Sequence, residues 1–154
     1  MELCGQMQDE GLTPGWELVR TARSAFTRPS VLVMIRTRAG DFSFAIAEVR
    51  TMEEQIRRAA DVGADGVVIG ALCADNALDR AALAGLVAAT EECDLEVSLH
   101  WAFDATHDPA AALETLVELQ FNRVLTSSTP WRGAGGAVAG LVRVRSLVAS
   151  GREL

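Results

Sequence analysis

Short apolar runs recur about every 30 residues, the usual length of a β-strand with its returning helix. Val31-Leu32-Val33-Met34-Ile35, Val67-Val68-Ile69-Gly70, Val97 to His100 and Arg123 to Ser128 are such runs. The first two are continuously apolar and β-branched, as expected of strands buried on both faces of a parallel sheet. Between them lie stretches with helical spacing. Met52, Ile56, Ala59 and Ala60 form one apolar face within residues 51–62, and Leu83, Leu86 and Val87 another within 81–89. Thr13-Pro14 predicts a helix start, with Thr13 as cap, and Arg28-Pro29 its end. Asp108-Pro109 predicts another start, for a helix to Leu119 with Leu113, Leu116 and Val117 inward. Residues 133–140 read as a flexible glycine-rich stretch and 138–148 as a final helix. Such alternation predicts an α/β fold, a parallel sheet with helices packed outside it.

Two architectures satisfy that pattern, an open doubly wound sheet and a closed (β/α)8 barrel. No Gly-x-Gly-x-x-Gly follows a strand, so the dinucleotide-binding form has no local support. Polar endings on successive strands favour the TIM-type barrel, in which every strand delivers groups to one rim. The chain has 154 residues, one domain's worth, whereas a full barrel takes about 200 or more. The expectation is one partial barrel over residues 1–154, roughly five of eight βα units, lacking a strand or more at each end.

Charge and composition narrow the function classes. A formal net charge of −7 opposes general attraction to nucleic acid or anionic lipid, which needs clustered cations. No apolar run approaches the roughly 20 residues of a membrane span. The start, Met-Glu-Leu-Cys, has no export signal, and Cys4, Cys73 and Cys93 lack CxxC spacing, which suits reduced thiols in a cytoplasmic protein.

The candidate site is read from the strand ends. In Glu96 to Asp104 the alternation of Val97 and Leu99 with Ser98 and His100 ends in His100, with Asp104 four residues on. His100 and Asp104 are candidates for a catalytic base and its orienting carboxylate, or for ligand contacts; the alternative is a histidine hydrogen-bonded inside the polar end of the barrel. Arg36, Arg38 and Asp41 form either an anion pocket or an internally paired loop. Glu2 points to the same rim or pairs with one of those arginines. Thr126 and Ser127 are candidate ligand contacts or local caps. Cys73 and Cys93 read as structural, and His107 as solvent-exposed.

Taken in chain order, Glu2-Leu3-Cys4, Val33 to Phe42 (Val-Met-Ile-Arg-Thr-Arg-Ala-Gly-Asp-Phe), Gly63 to Gly70, Leu99-His100-Trp101-Ala102-Phe103-Asp104 and Arg123 to Ser127 resemble the successive strand-end motifs of the CutC copper homeostasis family. The resemblance implies a TIM barrel, often a homodimer, with a copper-handling role. It connects Cys4 with copper, since a soft thiolate suits Cu(I); the residue-level alternative is a small buried side chain at a strand end. Trp101 stands where that family usually carries Arg, Thr37 where it carries Pro and Ser128 where it carries Gly. Two other readings stay open: an enzyme acting on a small anionic, phosphorylated or carboxylated metabolite, held by the arginines with His100 as acid–base group, and an inactive truncated copy.

Overall fold

A computed structural model describes residues 1–28, 30–127, 129–131 and 140–150. Five strands, β1 (Glu2–Leu3), β2 (Leu32–Met34), β3 (Gly66–Ile69), β4 (Glu96–Leu99) and β5 (Arg123–Val124), lie side by side in chain order, all parallel. The order never reverses. A doubly wound sheet has a reversal, its ligand crevice, whereas a barrel wall adds each strand at the same edge. The fold is therefore the wall of an incomplete TIM-type barrel.

The crossings are made by α1 (Trp16–Ala25), α2 (Ile46–Asp61), α3 (Arg80–Glu92) and α5 (Pro109–Glu118). A one-turn helix, α4 (Ala102–Ala105), follows β4, and α6 (Leu141–Ser150) follows β5. Val33, Ile35, Val67, Ile69, Val97 and Leu99 pack with Met52, Ile56, Leu83, Leu86 and Leu116 in one core. The residues between them face the other way. Paired register puts Met34, Val68 and Ser98 in one row across the inner face. Two residues further along, the same period puts Arg36, Gly70 and His100 in the next row, at the C-terminal ends.

Local departures from the sequence reading have physical causes. Helix α1 starts at Trp16 with Gly15 before it and no side-chain cap. Thr13 is occupied elsewhere: its hydroxyl accepts from Arg36 N at 2.9 Å and donates to Gln55 Oε1 at 2.8 Å, bracing the exit of β2. Helix α2 begins five residues before the expected start because Glu48 Oε2 accepts from Ala45 N at 2.7 Å. Its first residue, Ile46, is 76% exposed, and Val49 is the first apolar side chain of the helix to pack against the core. Asp79 caps α3 through Ala82 N, and Asp108 caps α5 through Ala110 N and Ala111 N, the latter as expected. Strand β5 is only two residues long, shorter than the run 123–128. Pro29, Ser128 and most of 133–140, with Val138, lie outside the described residues.

Candidate functional site

The C-terminal strand ends enclose a cavity of about 350 Å³, walled by Met34, Arg36, Phe42, His100, Trp101 and Trp131, with Glu2, Cys4, Met7 and Glu10 around it. This is the rim at which TIM barrels carry their sites. Of the expected site residues, Glu2, Cys4, Arg36 and His100 meet here.

Arg36 is 2% exposed. Its guanidinium donates to the carbonyls of Asp9 (3.0 Å), Gly11 (3.3 Å) and Gly40 (2.8 Å), lies 3.9 Å from the Glu10 carboxylate, and sits 4.9 Å from the centre of the Phe42 ring. Three backbone carbonyls and a ring face thus hold a buried cation in the cavity wall.

Arg38 and Asp41 are not part of that wall. Arg38 Nε donates to Glu48 Oε1 at 2.7 Å and its Nη2 to Asp41 Oδ1 at 2.9 Å. That hydrogen-bonded partnership raises the Arg38 pKa and lowers that of Asp41. Of the two readings of this loop, internal pairing is the one observed, and the expected three-residue anion pocket does not form. Glu2 pairs with neither arginine; desolvation at the cavity mouth pushes its carboxyl up, partly offset by the chain's amino terminus.

His100 is 2% exposed, and its ring stacks at a tilt on Phe42, centroids 4.9 Å apart. Ala102 N donates to Nδ1 at 3.1 Å. A backbone N–H can only donate, so Nδ1 carries the lone pair and the neutral ring carries its proton on Nε2. Nε2 is buried with no hydrogen-bond partner among the described residues. Burial first, and the Arg36 charge second, push the His100 pKa down to about 3. The imidazole is therefore a neutral donor at physiological pH.

Asp104 does not orient His100. Its carboxylate accepts from Thr126 Oγ1, from Ser127 N at 2.7 Å and from Ser127 Oγ at 2.8 Å, while its carbonyl accepts from Trp131 N at 3.0 Å. It ties the exit of β5 to α4 and holds Trp131 over the cavity, 4.8 Å from Phe42. Thr126 and Ser127 thus have Asp104 as partner, and the expected base-and-orienter pair is not assembled.

Gly70 makes room for the histidine. A Cβ there would stand 2.4 Å from His100 Cε1 and 2.7 Å from Nδ1. Gly70→Ala is expected to push the imidazole out of its seat, break the Ala102 bond and cost about 1–3 kcal/mol, the range for overpacking a core. Thermal unfolding reads the cost and the imidazole proton resonances read the displacement; an unmoved His100 signal in the variant would refute the steric account.

Cys4 is half-buried, and its thiol donates to Met7 Sδ at 3.1 Å. Burial, and then the Glu2 carboxylate, raise its pKa. Among the described residues no group of three or more His, Cys, Asp and Glu could hold a metal ion. A thiolate and a thioether are donors of the soft kind that suits Cu(I); at 3.1 Å they are joined by the S–H···S hydrogen bond, which an entering ion would replace as the thiol loses its proton and the sulfurs part. Met7, Phe42, Trp131 and Gly70 were not anticipated from the sequence. For Gly70 the signal was present, a glycine ending a strand beside another that ends in His.

A parallel wall of strands with a buried arginine, a neutral histidine and aromatic side chains around a cavity at its C-terminal ends defines a protein of the TIM-barrel class. Sequence comparison makes this specific. The chain belongs to the CutC family, whose profile matches residues 1–153. It is similar to the copper homeostasis protein cutC homologs of Mus musculus and Homo sapiens, 42% and 40% identical over 148 residues, 96% of this chain and 52% of each relative. The crystal structure of CutC from Streptococcus agalactiae superposes with a TM-score of 0.90 at 31% identity, covering 98% of this chain and 72% of that one. The chain spans about half the length of the curated relatives it matches.

Proposed function

We propose that this chain serves copper homeostasis by holding Cu(I) at Cys4 and Met7, at the mouth of the cavity. The observation that carries the reading is the 3.1 Å contact of Cys4 Sγ with Met7 Sδ, a thiol and a thioether set as a pair of soft donors. The naming of the mammalian relatives as copper homeostasis proteins supports it. His100 has its one lone pair on Nδ1, which already accepts from Ala102 N, so it stands outside this donor set. Because the thiol must lose its proton to bind metal, and its surroundings raise its pKa, affinity should strengthen as pH rises.

A cytoplasmic location, read from the cysteine pattern, and a homodimeric assembly, implied by the resemblance, belong to the same proposal. The three cysteines are free, as a reducing compartment requires. No helix among the described residues is long and apolar enough to cross a membrane.

Competition for Cu(I) against a chromogenic chelator tests the donor pair. Cys4→Ser is expected to weaken binding at least tenfold and Met7→Leu by a smaller factor. Equal affinity of wild type and Cys4→Ser would remove Cys4 from the site and end the proposal as stated.

A further inference from the structure

The cavity wall behind Cys4 and Met7 carries another sulfur. Among the described residues its lining holds three sulfur-bearing side chains, Cys4, Met7 and Met34. Met34 is the last residue of β2 and is 5% exposed. Strand pairing sets it beside the cysteine. Glu2 pairs with Leu32 and Leu3 with Val33, and the same register carried one residue on places Cys4 next to Met34, on backbones about 4.8 Å apart. Side chains alternate along a strand. Leu3 and Val33 pack in the core beneath the helices, so Cys4 and Met34 both face the cavity.

Gly11 meets both groups from a third segment. A Cβ built there would stand 3.5 Å from Cys4 Sγ and 3.8 Å from Met34 Cε. The thiol and the methyl carried on Met34 Sδ therefore border the same point. Gly11 has φ +87, in the left-handed region that favours glycine, and a side chain there would press on both. Its loop is closed by two backbone hydrogen bonds of 2.8 Å between Gly5 and Leu12, and the same loop carries Met7 to Cys4.

We infer that Met34 Sδ is a third donor of the Cu(I) site, making a set of one thiolate and two thioethers, all soft. The inference rests on the copper reading of Cys4 and Met7. On binding, Cys4 Sγ–H releases its proton to solvent, its hydrogen bond to Met7 is lost, and three Cu–S bonds form with no change in oxidation state. The two methionines contribute unequally. Met7 is 72% exposed and has to be ordered by the ion, whereas Met34 is already packed and has less side-chain freedom to lose. Removing Met34 should therefore weaken binding more than removing Met7.

Protein labelled with carbon-13 at its four methionine methyls and titrated with Cu(I) under reducing conditions tests this. One equivalent is expected to move the Met7 and Met34 signals and to leave Met52, in the core away from the cavity, in place. Met7→Leu and Met34→Leu assign the signals. In competition against a chromogenic chelator, Met34→Leu should weaken Cu(I) binding at least tenfold and Met7→Leu by less. X-ray absorption should count three sulfurs on copper in wild type and two in Met34→Leu. Leucine nearly conserves the volume of methionine and circular dichroism checks folding; if Met34→Leu does not fold, the methyl shifts and the wild-type sulfur count decide. A stationary Met34 signal or only two sulfurs in wild type, with Met7 moving and Cys4→Ser losing affinity, would overturn the third donor and leave the pair standing. No Cu(I) binding by wild type, or equal binding by Cys4→Ser, would overturn both.

Discussion

Replacing Asp104 with alanine is expected to lower the unfolding free energy by roughly 2–3 kcal/mol, as charge-assisted hydrogen bonds from half-buried donors to a buried carboxylate are lost. The side chain is 5% exposed, and its two oxygens accept from Thr126 Oγ1, Ser127 N and Ser127 Oγ. Removing the carboxylate takes an acceptor from a half-buried backbone N–H and from two half-buried hydroxyls, of which Ser127 Oγ keeps its contact with Thr129 Oγ1 at 2.9 Å. The consequence extends beyond stability. Trp131 is held by its backbone N–H on the Asp104 carbonyl and packs against Phe42, so loosening the α4–β5 junction loosens one wall of the cavity. Asp104→Asn keeps the shape and one acceptor oxygen, and is expected to fall between wild type and alanine. Urea denaturation monitored by circular dichroism checks the order. A loss below about 1 kcal/mol for Asp104→Ala, the worth of an ordinary hydrogen bond, would show that the junction does not depend on this carboxylate.

That junction also shows how far the sequence could be read. The strand-end position of Asp104 drew attention to it, and the four-residue spacing from His100 suggested a partnership. Spacing could not reveal that α4 turns the chain immediately after His100, which sends the carboxylate toward β5 and leaves the imidazole alone. A one-turn helix has too few residues to show periodicity. By contrast, the barrel wall was legible because apolar strands and amphipathic crossings repeat. Long elements broadcast their period, and Leu83, Leu86 and Met52 lie in the core where their spacing predicts.

The two arginines give the converse case. Arg36 and Arg38 are two residues apart and would share a side of an extended strand. Strand β2 ends at Met34, and the following segment turns so that Arg36 enters the cavity wall and Arg38 joins Glu48 at the start of α2. The alternation that does hold, Met34 to Arg36 and Ser98 to His100, could have been followed from the sequence, and it predicts the cavity's inner row. What it cannot supply is the partner each group finds across the rim. Carbonyls cradle Arg36, and no sequence pattern announces a carbonyl.

The second large effect concerns pH, and it separates the histidine from the many carboxylates that titrate nearby. An unfolded chain protonates His100 near its ordinary pKa of 6.5, whereas the native imidazole, desolvated and beside Arg36, protonates only near 3. Between these values the unfolded state binds the extra proton, so acidification favours unfolding. The stability associated with a neutral His100 is fully present above about pH 6.5 and is lost as pH falls toward 3. At pH 4.5 this amounts to roughly 3 kcal/mol. His100→Gln removes the titrating group. The difference in unfolding free energy between wild type and His100→Gln should therefore shift against wild type by about that amount between pH 7 and pH 4.5, as read from urea denaturation at both. Parallel pH dependences would mean that the imidazole is accessible to protons in the native state. The same depressed pKa keeps the imidazole neutral, with its proton on Nε2, across the physiological range.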